Sequence, residues 1–193
     1  MPHLVGSVGW NSNHWRGAPE PADHLATGHA NVRAGYIGNE CLNLAMDPTT
    51  IIDGWKLGAI EKFHRKTRFI DGGLVFMWSR SPAWRNARII GVLAGVHRLP
   101  EPLRRDTSVG PLEFNLCLPA VPGLALLFNE AVEVKRERHL HEGSTIKQGP
   151  GQACGCYIDD AAATNILSDA AGTDPAARAL LELRGWGTGP PGA

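Results

Sequence analysis

Two apolar runs constrain this chain more than any other feature. DGGLVFMWS, residues 71 to 79, opens on a glycine-rich turn and continues as an uninterrupted buried-type strand; RIIGVLAGVHRL, residues 88 to 99, is rich in β-branched residues. The polar connection between them, RSPAWRNA, is too short for the crossover that parallel neighbours need, which takes about a dozen residues or more. The two strands are therefore expected to pair antiparallel as a hairpin and to seed a sheet. PLEFNLCLP and LALLFNEAVEVKRERHL add further extended segments, and LVGSVGW near the amino terminus reads as another short strand.

The intervening segments are punctuated. NSNHWRGAPEPADH is loop-like, and AGYIGNECLNLAM reads as a second extended segment ending at Asp47-Pro48. In IIDGWKLGAIEKFHRK, Trp55, Ala59, Ile60 and Phe63 recur at roughly helical spacing and predict a short helix with a basic far side. Two helices are expected at the carboxyl end: DDAAATNILSDAAG, with Asp159 or Asp160 available as a cap, and DPAARALLELRG, entered at Asp174-Pro175 and stopped at Gly185. Many strands and few helices predict an α+β fold, a small, partly open β-barrel with helices on its side. Residues 1–185 read as a single domain and 186–193 as a flexible tail or linker.

The totals narrow the function class. Of 193 residues, 43% are hydrophobic and 20% charged, and no apolar run reaches the length of a membrane span. The start, MPHLVGSVGW, lacks the basic and apolar regions of a secretory signal, so a cytoplasmic protein is expected. Cys41, Cys117, Cys154 and Cys156 are too few and too irregular for a disulfide framework and are expected to stay reduced. The net charge of +0 conceals an asymmetry: from Trp55 to Asp106 there are eleven Lys and Arg against four acids, a net +7, while the rest, eight against fifteen, carries −7. That middle third can hold phosphates while the acidic remainder maintains solubility; as a plain solvated surface it would do nothing more.

VGWNSNHWRG, residues 8 to 17, carries two tryptophans, two asparagines, a histidine and an arginine, a combination that suits a flat polar ligand better than a plain core. Trp10, Trp15, Trp55, Trp78 and Trp84 can converge into a cage in which a planar group stacks, with Asn11, Asn13 or Ser79 reading its edge. The alternative is that the same rings seal the ends of a barrel. Arg65, Lys66, Arg68, Arg80 and Arg85 are the candidate phosphate contacts. His139 and His141 would share a face of a strand, and Cys154 and Cys156 could oppose them. A Cys-x-Cys pair is nonetheless strained for one tetrahedral zinc, so no metal site is expected there; no cofactor is expected. GPGQACGC matches no phosphate-binding loop and is read as a turn. No hydrolase motif occurs; His14 or His64 beside an acid could act as a base, and Cys41 sits next to Glu40, whose charge would raise its pKa rather than activate it.

Gly72 to Ser79 followed by Ile89 to Val96, together with the opening VGWNSNHWRG, resembles the EVE and YTH-like branch of the PUA superfamily, including the modification-sensing domains of restriction systems. Gly73 departs from the Asp that many relatives carry at that point. The resemblance implies a small β-barrel flanked by helices, and an aromatic cage that takes a modified base flipped from a nucleic acid; the base is expected to be methylated or hydroxymethylated and the nucleic acid DNA, with RNA as the alternative. It places Trp78 and Ser79 at the end of the pocket strand and adds Trp10, Asn11 and Trp15 to its wall. It implies no enzymatic activity in this chain, with cleavage left to a partner nuclease domain or subunit. The competing expectations are a small enzyme of the same barrel class acting on a nucleotide-like substrate, and a protein-interaction domain whose tryptophans anchor another chain.

Overall fold

The computed structural model describes residues 3–26, 37–81, 83–84, 86–140 and 155–183. Arg85, His141, Cys154, most of GPGQACGC and the 186–193 tail, with its Trp186, lie outside the described residues. Within them the chain is a mixed α+β fold built on one large sheet. The strands are β1 (His3–Ser7), β2 (Ile51–Ile52), β3 (Trp55–Gly58), β4 (Gly73–Ser79), β5 (Arg88–Thr107), β6 (Gly110–Pro119), β7 (Ala125–Glu133) and β8 (Cys156–Ile158). The helices are α1 (Pro21–Ala26), α2 (Arg136–His139), α3 (Asp160–Ala171) and α4 (Pro175–Glu182). No helix among the described residues is long and apolar enough to cross a membrane.

The sheet runs β2-β3-β6-β5-β4-β1-β8, with β7 attached to β5. The β4–β5 hairpin forms as the short connection requires, Phe76 opposite Val92 and Val75 opposite Leu93. β5 is 20 residues long and serves two parts of the sheet: its first half lies between β4 and β7, and its second half pairs with β6. β1 pairs parallel to β4, the other neighbours antiparallel. Among the described residues no pairing joins the sheet edges, so the barrel expected from the sequence is not closed.

Both faces of β4 are covered, which is why its sequence is continuously apolar instead of alternating. Leu74, Phe76 and Trp78 face one core layer, shared with Ile166 and Leu167 of α3 and Leu180 of α4; Val75 and Met77 face a second layer with Trp15, Phe63 and Phe69. α3 starts where Asp159 accepts the Ala162 N–H at 2.8 Å, and α4 starts at Asp174, whose carboxylate accepts from Ala176 and Ala177 ahead of a Pro at the first helical turn.

Four local expectations are corrected. The helix expected across residues 51–66 is instead the β2–β3 hairpin followed by a 3-10 turn at Phe63–Arg65. Asp53 and Gly54 both adopt positive φ, 49° and 80°, the geometry of a two-residue hairpin turn, and this overrides the helical spacing. The extended segment expected over 34–46 holds a 3-10 turn at Asn39–Leu42 in its described part, because Asn43 bonds Ala59 through both ends of its amide. PADH begins the short helix α1 rather than a loop. His139 ends the helical turn α2 instead of lying on a strand.

Candidate functional site

The loop after β1 is fastened by its own polar side chains. Asn11, buried, accepts from the Asn13 N–H at 2.8 Å and donates to the Gly17 carbonyl at 3.0 Å, an Asx-type closure. The Asn13 amide donates to the Ala18 carbonyl. Asp23 of α1 accepts from the Ser12 N–H, the Ser12 hydroxyl and the Glu20 N–H, and so ties down both ends of the excursion. Inside it His14 and Trp15 both have φ 55°, a left-handed backbone that non-glycine residues rarely adopt and that surrounding structure must enforce.

That backbone turns the Trp15 indole into the core, where it is 1% exposed and donates through Nε1 to the Gly9 carbonyl at 3.0 Å. Trp10 meets it edge to face, with ring centroids 5.9 Å apart and planes at 89°. Trp84, from the β4–β5 connection, meets Trp10 in the same manner at 5.3 Å and 76°. The Arg88 guanidinium carbon lies 5.4 Å from the centre of the Trp84 ring. The result is a ladder, Arg88–Trp84–Trp10–Trp15, running from a cation into the core. The Arg88 Nε is buried and has no hydrogen-bond partner among the described residues.

Beside Trp10 and Trp15 is a recess also lined by Gly9, Asn11, Gly38 and Glu40. Its volume is about 10 Å³, the space of one water. The turn carrying Glu40 and Cys41 is held from several directions. Gly9 N–H donates to Glu40 Oε1 at 3.0 Å, Gly17 N–H to the Cys41 carbonyl at 3.2 Å, and Leu44 N–H to the Trp15 carbonyl at 3.1 Å. From below, Lys56 on β3, 1% exposed, donates Nζ to the carbonyls of Leu42 at 2.9 Å and Leu57 at 3.2 Å. Burial pushes the Lys56 ammonium down to about 8 despite the favourable charge of Asp47. Burial, with the adjacent Glu40, pushes the Cys41 thiol up to about 12, so it stays protonated and unreactive at neutral pH.

The expected tryptophan set therefore gathers in part. Trp10, Trp15 and Trp84 come together; Trp78, 6% exposed, faces the opposite core layer, its buried Nε1 without a hydrogen-bond partner among the described residues. Trp55 is paired edge to face with His97, 5.2 Å away in centroids. Ser79 is buried and donates to the Val8 carbonyl at 3.1 Å, so like Asn11 and Asn13 it has a main-chain partner already.

Of the cationic set, Arg65, Arg68 and Arg80 are exposed and Lys66 is half-buried. Lys66 donates Nζ to the Gly155 carbonyl at 2.7 Å, and the Arg68 guanidinium lies 4.9 Å from the centre of the Tyr157 ring on β8. Tyr157, Trp10 and Trp84 all pack on the same core layer.

His139 accepts the Lys135 N–H at Nδ1 (3.0 Å), which leaves its Nε2–H to donate to Asp169 at 2.9 Å; neither nitrogen is left for a metal. His3 is held the same way between the Leu74 N–H and Asp160, each at 3.0 Å. Two larger hollows, of about 440 Å³ beside His3 and α3 and about 840 Å³ beside Pro48 and Ser108, are lined by no Trp, Tyr or Phe among the described residues.

Arg88 and Glu40 are the site residues that the sequence does not single out. Arg88 is one of eleven cations in its third of the chain, and Glu40 is visible there only as a neighbour of Cys41. The spacing Trp84-x-x-x-Arg88 was the available signal for the first, and nothing short of the loop geometry brings the second to Gly9.

Among known proteins, no family model, no curated protein and no solved structure matches the chain.

Proposed function

We propose that the protein is a nucleic-acid-binding module that takes a modified base, methylated or hydroxymethylated and in DNA, out of the stack and against the aromatic ladder at Trp10. On this reading the open sheet is a PUA-like barrel of the EVE and YTH-like kind. The protein works in the cytoplasm without a cofactor or catalytic residue, and cleavage belongs to a nuclease domain or partner, as in restriction systems. The observation that carries the reading is the Arg88–Trp84–Trp10–Trp15 ladder, where edge-to-face indoles lead from a cation to a recess lined by Trp10 and Trp15. Stacking on such rings supplies about 1–3 kcal/mol per base, and the exposed Arg65, Arg68 and Arg80 supply flanking phosphate contacts.

A water-sized recess admits no base, so entry requires the Trp10 ring to swing away from Trp15 and Trp84. The half-buried Trp10 can move; the buried Trp15, anchored through Nε1, stays as the floor. Discrimination rests on close walls, because one methyl group is worth about 1 kcal/mol.

The test is a titration of the full chain with duplexes that differ only in one modified base, read by tryptophan fluorescence and repeated at rising salt. The expected result is tighter binding to the modified duplex, a fluorescence change lost in Trp10→Phe, and about five- to hundredfold weaker binding for Trp10→Ala. Equal affinity for both duplexes, unaffected by Trp10→Ala, would remove the proposal. Binding of a protein partner that survives high salt and needs Trp84 would point to the interaction-domain alternative.

A further inference from the structure

We infer that α3 is latched to the sheet at both ends by buried histidines that hold only while neutral, so that acid releases the helical layer ahead of the sheet beneath it. His3 of β1 and His139 of α2 are 1% and 0% exposed. Each ring accepts at one nitrogen and donates at the other. His3 takes the Leu74 N–H at Nδ1 and gives its Nε2 proton to Asp160, the first residue of α3. His139 takes the Lys135 N–H at Nδ1 and gives its Nε2 proton to Asp169, in the last turn of α3.

An imidazolium donates at both nitrogens and accepts at neither. Protonation of either ring therefore turns a proton toward a main-chain N–H that already points at it. The Leu74 N–H depends on the ring most, because Leu74 falls at the irregularity between Gly73 and Val75 and has no partner in the β4–β5 or β1–β4 register. A buried N–H left without its acceptor is costly. The carboxylates pull the other way, but Asp160 is largely exposed and Asp169 is already held by Arg138 at 2.7 Å. Burial holds both rings below the ordinary histidine range. It outweighs Asp160 and Asp159 at His3 and Asp169 at His139; the amino terminus at His3, and Arg138 and Lys135 at His139, act with it.

The layer held in this way is separate from the one that carries the aromatic ladder. Ala163, Ile166 and Leu167 of α3 and Ala177 and Leu180 of α4 pack on one core layer, whereas Trp15 lies in the other, with Trp10 and Trp84 against it. Contact is incomplete near His3, where the hollow of about 440 Å³ lies between His3, α3 and Leu181 of α4. Release of the helices bares the first layer and leaves the ladder standing on the second.

The experiment is amide hydrogen exchange on the full chain at pH 7 and 5.5, corrected for the intrinsic rate, in wild type, His139→Gln and the double variant His3→Gln with His139→Gln. Glutamine keeps an acceptor and a donor but does not titrate. With the released rings titrating at the ordinary 6.5, acid lowers the protection of α3 and α4 by a ceiling of about eightfold per histidine. The expected result is a loss of about fivefold or more in wild type, with α3 and α4 exchanging faster than β4 and β5 at pH 5.5, a smaller loss in His139→Gln and none in the double variant. Nitrogen-15 spectra at pH 7 should show both rings neutral with the proton on Nε2. If α3 and α4 exchange no faster than β4 and β5, or if the acid loss persists in the double variant, the latch is overturned. Should the double variant not fold, an undiminished loss in His139→Gln has the same force. A ring that is charged at pH 7, or protonated on Nδ1, also overturns it.

Discussion

Replacing Lys56 by Met tests the buried ammonium that braces the Glu40 turn. In the folded chain this group loses its proton near pH 8, in the unfolded chain near 10.5. Below pH 8 both states hold the proton and Lys56 adds no pH dependence. Between these values the unfolded chain binds the proton that the folded chain has released, so stability rises with pH. At roughly 1.36 kcal/mol per pH unit, the gain is about 1 kcal/mol by pH 9 and about 3 kcal/mol by pH 10.5. The buried thiols act in the opposite sense, since Cys41 and Cys156, pushed up to about 12 and about 11, keep their protons folded while the unfolded thiols ionise. That contribution is common to both proteins and drops out of their difference. Urea unfolding of wild type and Lys56→Met at pH 7.5, 9 and 10.5 is therefore the assay, with the wild-type minus variant stability expected to climb by the stated amounts. A difference that stays level or falls across that range would refute the placement of a charged Lys56 in the interior.

Gly91→Ala should destabilise by about 1–3 kcal/mol or more, because a Cβ there collides with the Leu126 carbonyl oxygen and β7 has β5 as its only described neighbour in the sheet; thermal melting reads it. Asp174→Ala should cost about 2 kcal/mol in a urea titration, since the carboxylate caps α4 and also accepts the Asn129 N–H of β7 at 3.0 Å. Acidification should weaken the fold from pH 6.5 downward. Burial holds the pKa of His3 and His139 below the ordinary 6.5, so the unfolded state takes up protons first, and the urea midpoint should drop between pH 7 and 5.5, less so in His139→Gln.

The hairpin of β4 and β5 was readable because a short polar link between two apolar runs leaves one way to pair them. The carboxyl-terminal helices were readable because Asp159 and Asp174-Pro175 act locally, on N–H groups two or three residues away. The helix expected around Trp55 failed for a local reason too: Asp53-Gly54 is a hairpin turn signal, and it outweighs four apolar residues at helical spacing. The site was only partly readable. Indoles at Trp10, Trp15 and Trp84 announced themselves by residue type, but Trp78 belongs to a strand covered on both sides, and strand alternation puts it with Leu74 and Phe76 on the other layer.

Taken alone, the order of residues determined that this chain forms a sheet from its apolar runs and two capped helices at its end, because those choices depend on neighbours within a few positions. Which rings meet, which amides are already engaged and which carboxylate accepts from Gly9 were decided by tertiary structure. Arg88, Trp84, Trp10 and Glu40 come from segments up to 78 residues apart, and only the pairing of β1, β4 and β5 brings those segments to one face.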